Sequence, residues 1–252
     1  MSSDLLVEDR DAVRILVINR PARRNALTAD TVDELRAQVQ EADSSIGALV
    51  LTGAGGHFSA GGDAGAILDV IAEDSGQALI SFMRRFHGLI EAIWSSDLPV
   101  IAAVSGIAYG GGFNLALACD HVVCSADARF CQVFLRRGLI PDLGGTYLLP
   151  RLVGVLRAKE LMLRATELGA AQARELGLVN AVAADPAAAL EAAVSVAAEL
   201  AAGPRLATAL TKQMINSSMT GTLESSLERE VLAQVAALQA GPARAQFEAF
   251  LR

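Results

Sequence analysis

Apolar positions along this chain follow two rhythms, one of short strands and mixed helices up to about residue 143 and one of alanine-rich helices beyond it. Residues 13–19 (Val-Arg-Ile-Leu-Val-Ile-Asn) are β-branched and begin by alternating. Asp9, Arg10 and Asp11 before them supply turn chemistry, so the chain is expected to open with a hairpin that ends at Arg20-Pro21. From Thr28, whose hydroxyl can cap a helix, Val32, Leu35 and Val39 recur at helical spacing with charges between them. Residues 47–53 read as a buried strand running into a glycine-rich loop. An amphipathic helix is predicted over 77–95, a strand over 99–104 and a third buried strand over 120–124.

Past Leu143 the pattern predicts helices at about 156–164, 186–201, 204–217 and 222–240, broken by Gly169, Gly177, Gly203 and Gly221. The whole reads as a β-β-α or β-α core to about residue 180, followed by a helical region. No internal repeat, low-complexity tract or Pro/Ser-rich linker divides the chain, so 1–180 and 181–252 are taken as core and extension of one α/β unit. The extension is either an oligomerisation element or a cover for the core of a monomer, and the pattern leaves both open.

Composition narrows the function classes. At 252 residues and 52% hydrophobic, the chain has material for a sizeable core. With 21 Lys plus Arg against 28 Asp plus Glu, its formal charge of -7 argues against a nucleic-acid-binding surface. Cys119, Cys124 and Cys131 are odd in number and lack metal-ligand spacing, which suits reduced thiols in the core. The N-terminal residues have neither signal-peptide nor transit-peptide character, so a cytoplasmic location is expected. Residues 98–119 carry no charge and are long enough to cross a bilayer of ~30 Å. Pro99, Gly106, the triplet Gly110-Gly111-Gly112 and Asn114 instead break this stretch into strand, turn and short helix, and no membrane span is expected.

Two glycine-rich turns, each after an apolar strand, are the first candidates for chemistry: His57-Phe58-Ser59-Ala60-Gly61-Gly62-Asp63 and Ser105-Gly106-Ile107-Ala108-Tyr109-Gly110-Gly111-Gly112-Phe113-Asn114. Glycine lets backbone approach a ligand closely, and a following helix offers free N–H groups, so two facing turns could aim two amides at one developing oxyanion. Familiar alternatives fail on the residues. The chain contains no P-loop, no Gly-x-Gly-x-x-Gly opening a helix after a strand and no Gly-x-Ser-x-Gly elbow. His57, His87 and His121 are scattered, without a metal-binding pattern. Among carboxylates Asp142 stands out, between the rigid Pro141 and the flexible pair Gly144-Gly145 in apolar surroundings. Desolvation there would raise its pKa and suit a general base that takes a proton from carbon; the local pattern by itself favours instead a cap for a helix starting near Gly145.

These residues resemble the enoyl-CoA hydratase/isomerase (crotonase) family over nearly the whole chain. The resemblance is carried by Asn19-Arg20-Pro21 with Asn25-Ala26-Leu27, by Phe58-Ser59-Ala60-Gly61-Gly62-Asp63, by Gly110-Gly111-Gly112 with Leu115 and Ala118-Cys119-Asp120, and by Gly138-Leu139-Ile140-Pro141 with Gly144-Gly145. It implies a crotonase (ClpP-like) spiral of β-β-α units with a C-terminal helical extension that builds homotrimers, often paired as dimers of trimers. It implies an acyl-CoA substrate and no metal or redox cofactor, coenzyme A being part of the substrate. By the same resemblance the N–H groups of Gly62 and Gly111 would form the oxyanion hole. Ala60, Gly62 and Ala64 would meet the adenine, Asp63 would open the next helix, and Arg24 would approach the CoA phosphates. Family hydratases use two glutamates to handle water, and here those positions hold Asn114 and Phe134, expected to line the pocket. Asp142 falls where several isomerases of the family carry an acidic catalytic residue. The expectation is therefore an enoyl-CoA isomerase with Asp142 as acid/base. A hydratase or other enolate reaction using Asp142 with a water held by Asn114, and an acyl-CoA binder without catalysis, are the alternatives. Acyl-pocket residues are expected between 69 and 86.

Overall fold

The computed structural model describes residues 3–251. Its strands are β1 (Leu5–Arg10), β2 (Val13–Ile18), β3 (Ala48–Gly53), β4 (Val100–Val104), β5 (Ile107–Tyr109), β6 (His121–Ser125), β7 (Arg129–Cys131), β8 (Leu168–Gly169) and β9 (Ala181–Ala183). Six form one sheet in the order β1-β2-β3-β4-β6-β9, and β5-β7-β8 form a second. β1 and β2 are the antiparallel hairpin the pattern predicts. Arg10 pairs with Val13, so the turn is Asp11 and Ala12 rather than the Asp9-Arg10-Asp11 triplet, with Asp11 at φ 52 in the left-handed region that aspartate tolerates. From β2 to β9 the large sheet is parallel.

Parallel strands must be covered on both faces, which explains why β3 and β4 are apolar at nearly every position. Successive residues point to opposite sides. Leu16, Leu49, Leu51, Val100 and Ala102 face the main core, to which α1 (Ala29–Gln40) contributes Val32 and Leu35. Ile15, Val50, Ile101, Ala103 and Val123 face the other way, onto a separate cluster. Thr28 caps α1, its hydroxyl accepting the Thr31 amide at 3.2 Å. α2 (Ala64–Ala72) and α3 (Gly76–Ser95) follow the first glycine turn, and α4 (Gly111–Ala118) follows the second. The uncharged stretch thus becomes β4, β5 and α4, and among the described residues no single helix is long and apolar enough to cross a membrane.

Helices α5 (Gly145–Val153), α6 (Val155–Arg164) and α7 (Ala170–Glu175) lead to α8 (Pro186–Ala201), α9 (Arg205–Ser218), α10 (Leu223–Gln239) and α11 (Pro242–Phe250). α8 lays Ala189, Ala193 and Ala197 on the second face of the large sheet, so the first helix after residue 180 completes the core of its own chain. α9 is tied back through Lys212, whose ammonium donates to the carbonyls of Ile93 and Leu98 and pairs with Asp120 at 2.7 Å. α10 buries no residue and leaves Leu227, Val231, Val235 and Leu238 exposed.

Candidate active site

The two glycine turns lie against each other. Ser59 bridges to Ala108 and Leu27 to Gly62, stitching the first turn to β5 and to the loop before α1. Asn25 holds that loop in place: fully buried and at φ 55, it accepts the Arg20 amide at 2.9 Å, donates to the Ala54 carbonyl at 2.8 Å, and its own carbonyl accepts from the Ser59 hydroxyl at 2.8 Å. Gly61 sits at φ +88, where a Cβ would come within 2.8 Å of the Tyr109 carbonyl and 3.0 Å of the Gly111 nitrogen. Only glycine fits so close an approach in that conformation.

This contact brings the two predicted amides together. A Cβ built on Gly111 would lie 3.8 Å from the Gly62 nitrogen, and both glycines line one cavity. Gly111 is the first residue of α4, with its N–H at the positive end of the helix, and neither it nor the Gly62 N–H donates to another group among the described residues. Two unspent amides on one cavity wall are what an oxyanion requires.

The cavity encloses about 670 Å³. Its walls are chiefly apolar: Val70, Ile71, Leu79, Phe82, Met83 and Phe86 from α2 and α3, as expected for residues 69–86, together with Val133 and Phe134. Asp142 lines it beyond Pro141. Its carboxyl does not cap α5, which begins after Gly144 without a side-chain cap, and its Oδ1 is buried without a hydrogen-bond partner. Burial pushes the Asp142 carboxyl up to about 6, against the opposing pull of His87. A carboxylate so placed is strong enough as a base to work near neutrality.

The other predicted site residues divide. Ala60 and Phe134 line the cavity, Phe134 carried there by a 3-10 turn, Val133–Arg137. Asn114 does not. It is fully buried, its Nδ2 donating to the Asp142 carbonyl at 2.8 Å and its Oδ1 accepting from Gln132 Nε2 at 2.7 Å, so the expectation that it lines the pocket is corrected. All eight residues of α4 are buried, so that helix has no wet side on which to leave it. Asp63 caps α2, accepting the Gly65 and Ala66 amides, and meets Arg20 at 2.9 Å. Burial would raise its carboxyl, but the Ala66 amide and the Arg20 guanidinium outweigh that and hold it below the ordinary value. Arg24 and Ala64 are exposed outside the cavity, and the Arg24 carbonyl accepts the Ala60 amide at 2.9 Å.

Sequence reasoning missed His87 and Glu91, both exposed and both on the cavity wall. The signal was present: Leu79, Phe82, Met83, Phe86, His87, Ile90 and Glu91 form one helical stripe, and a residue on an apolar stripe shares its neighbours' surroundings.

The enoyl-CoA hydratase/isomerase family model matches residues 8–251. The chain belongs to that family. It is 38% identical to the 1,2-epoxyphenylacetyl-CoA isomerase of Escherichia coli, over 91% of this chain and 88% of that one. It is 35% identical to the short-chain-enoyl-CoA hydratase of Clostridium acetobutylicum, over 90% and 86%. The solved enoyl-CoA hydratase/isomerase of Cupriavidus metallidurans superposes with a TM-score of 0.92 at 35% identity, covering 100% of this chain and 95% of that one. The spiral is therefore the crotonase fold, and this member of the family is an acyl-CoA enzyme.

Proposed function

We propose that this enzyme isomerises enoyl-CoA thioesters, moving a double bond from the 3- to the 2-position with Asp142 as the single acid/base. The observation that carries the reading is one buried carboxyl, pushed up to about 6, in a cavity that also presents two unspent amides. The thioester oxygen would accept from the Gly62 and Gly111 N–H groups, which stabilise the enolate and so acidify C2. Asp142 takes the C2 proton, electrons spread into the dienolate, and the same carboxyl returns the proton to C4. Apolar walls keep that proton from water during transfer. The positions at which family hydratases hold water-handling glutamates bear Asn114, whose amide is spent inside the protein, and Phe134, which is apolar. The thioester itself brings the activating carbonyl, so the reading requires no further cofactor.

His87 favours a second reading, because it gives the cavity another proton carrier near Asp142. With it, Asp142 could direct hydration of a 2-enoyl-CoA or another enolate reaction. Supplying 3-enoyl- and 2-enoyl-CoA separately decides: conjugation of the first without hydration of the second supports isomerisation, and the reverse overturns it. An acyl-CoA binder without catalysis would exchange no C2 deuterium into a saturated acyl-CoA. We further infer that the exposed apolar residues of α10 meet other copies of the chain in a homotrimer or a dimer of trimers, which light scattering would test.

A further inference from the structure

We propose that Asn114 and Gln132 are positioning residues that fasten the main chain of Asp142 to the same helix that supplies the Gly111 amide. The inference rests on the reading of Asp142 as acid/base. Both side chains are fully buried, an expensive place for an amide that serves nothing. Gln132 donates to Asn114 at 2.7 Å, Asn114 donates to the Asp142 carbonyl at 2.8 Å, and the Gly145 amide donates to that carbonyl at 2.8 Å. Gln132 Oε1 is left buried and unpartnered, so the amide is held here by the one bond it gives to Asn114.

Packing holds the Asn114 amide in this orientation. A Cβ at position 145 would lie 2.4 Å from Asn114 Nδ2 and 2.6 Å from its Oδ1, so Gly145 lets the amide pass beneath α5 and leaves it little room to turn. Asp142 Oδ1 itself has no hydrogen-bond partner, so the direction of the carboxyl depends on its backbone. Asn114 stands one turn after Gly111 in α4, and the amide of Gly110, which precedes that helix, donates to the Cys131 carbonyl at 2.8 Å, next to Gln132. One rigid piece thus sets both the oxyanion hole and the base, and therefore the separation between the thioester oxygen and the group that takes the C2 proton. Angstrom-scale drift in that separation is costly to a proton transfer.

The test measures two things on wild type, Asn114→Ala, Asn114→Asp and Gln132→Met. The first is amide hydrogen exchange over residues 139–146, read by mass spectrometry. The second is kcat and KM for deuterium exchange at C2 of butyryl-CoA. Anchoring predicts faster amide exchange in that segment for each variant. It also predicts a kcat lowered roughly 100-fold for Asn114→Ala with KM nearly unchanged. The Asn114→Asp carboxylate cannot donate to the Asp142 carbonyl, but its acid form can, so its kcat relative to wild type should climb as pH falls. Unchanged amide exchange in 139–146, or a kcat that falls only in step with acyl-CoA binding, overturns the proposal. If Asn114→Ala does not fold, Gln132→Met carries the same comparison with Asn114 in place. Wild-type C2 exchange abolished by Asp142→Asn supports the acid/base reading. Its absence in wild type overturns that reading alone, and the amide-exchange comparison still decides the anchor.

Discussion

Replacing Asp142 by asparagine keeps its shape and removes its charge, and the effect on stability can be worked from its surroundings. The carboxyl lies at about 6 in the folded protein against an ordinary value of 3.8. That gap, at about 1.4 kcal/mol for each tenfold change in proton affinity, corresponds to about 3 kcal/mol. Because the folded value is the higher one, folding favours the protonated acid. Its contribution is complete below about pH 4 and is lost as the pH rises through about 6. Asparagine has no such loss. Asp142→Asn should therefore be more stable than wild type by up to about 3 kcal/mol at pH 8, with the advantage shrinking toward zero at pH 4. Guanidinium unfolding of both proteins across that range, at one chain concentration, gives the difference directly. A difference that stays flat with pH, or an asparagine variant less stable at pH 8, would refute a desolvated Asp142. The same variant should lose turnover while still binding acyl-CoA, measurable by calorimetry, since the Gly62 and Gly111 amides are untouched.

Other outcomes follow from the same geometry. The pH profile of kcat/KM should bend downward on the acid side near 6, where Asp142 gains its proton; a limb near 4 would contradict the cavity's effect on it. Gly61→Ala places a methyl 3.0 Å from the Gly111 nitrogen at an unfavourable φ, and should lower kcat by roughly 100-fold or more by spoiling the oxyanion hole. Lys212→Met takes a partner from the Ile93 and Leu98 carbonyls and the Asp120 carboxylate, none of which lines the cavity; it should cost about 2–3 kcal/mol in chemical unfolding and leave KM alone.

Elements that carry their own pattern were legible before any coordinates. β3 and β4 are unbroken apolar runs, α8 is an alanine helix that opens at Pro186 after Asp185, and both glycine turns follow such strands. The short strands β5, β7 and β8 were not, because three residues or fewer have no period and exist only through partners distant in the chain. The same limit explains the site. Gly62, Gly111 and Asp142 offer it backbone or a single carboxyl, so their motifs suffice to place them on the cavity. Asn114 was assigned to the cavity by its motif position, yet which way an amide points in a helix buried on every side depends on Gln132 and Gly145, residues no local rule connects to it. His87 passed as an isolated histidine because its partner in the cavity lies on a different element.

The two groups proposed to polarise the thioester are peptide N–H groups. No amino-acid replacement removes an N–H except one to proline, so mutation can disable them only by bending the chain around Gly61, Gly62 and Gly111. The side chains that line the rest of the cavity have no such protection. Exchange of one acid, histidine or aromatic for another on those walls would change the chemistry and leave the course of the backbone at the two glycine turns as it is.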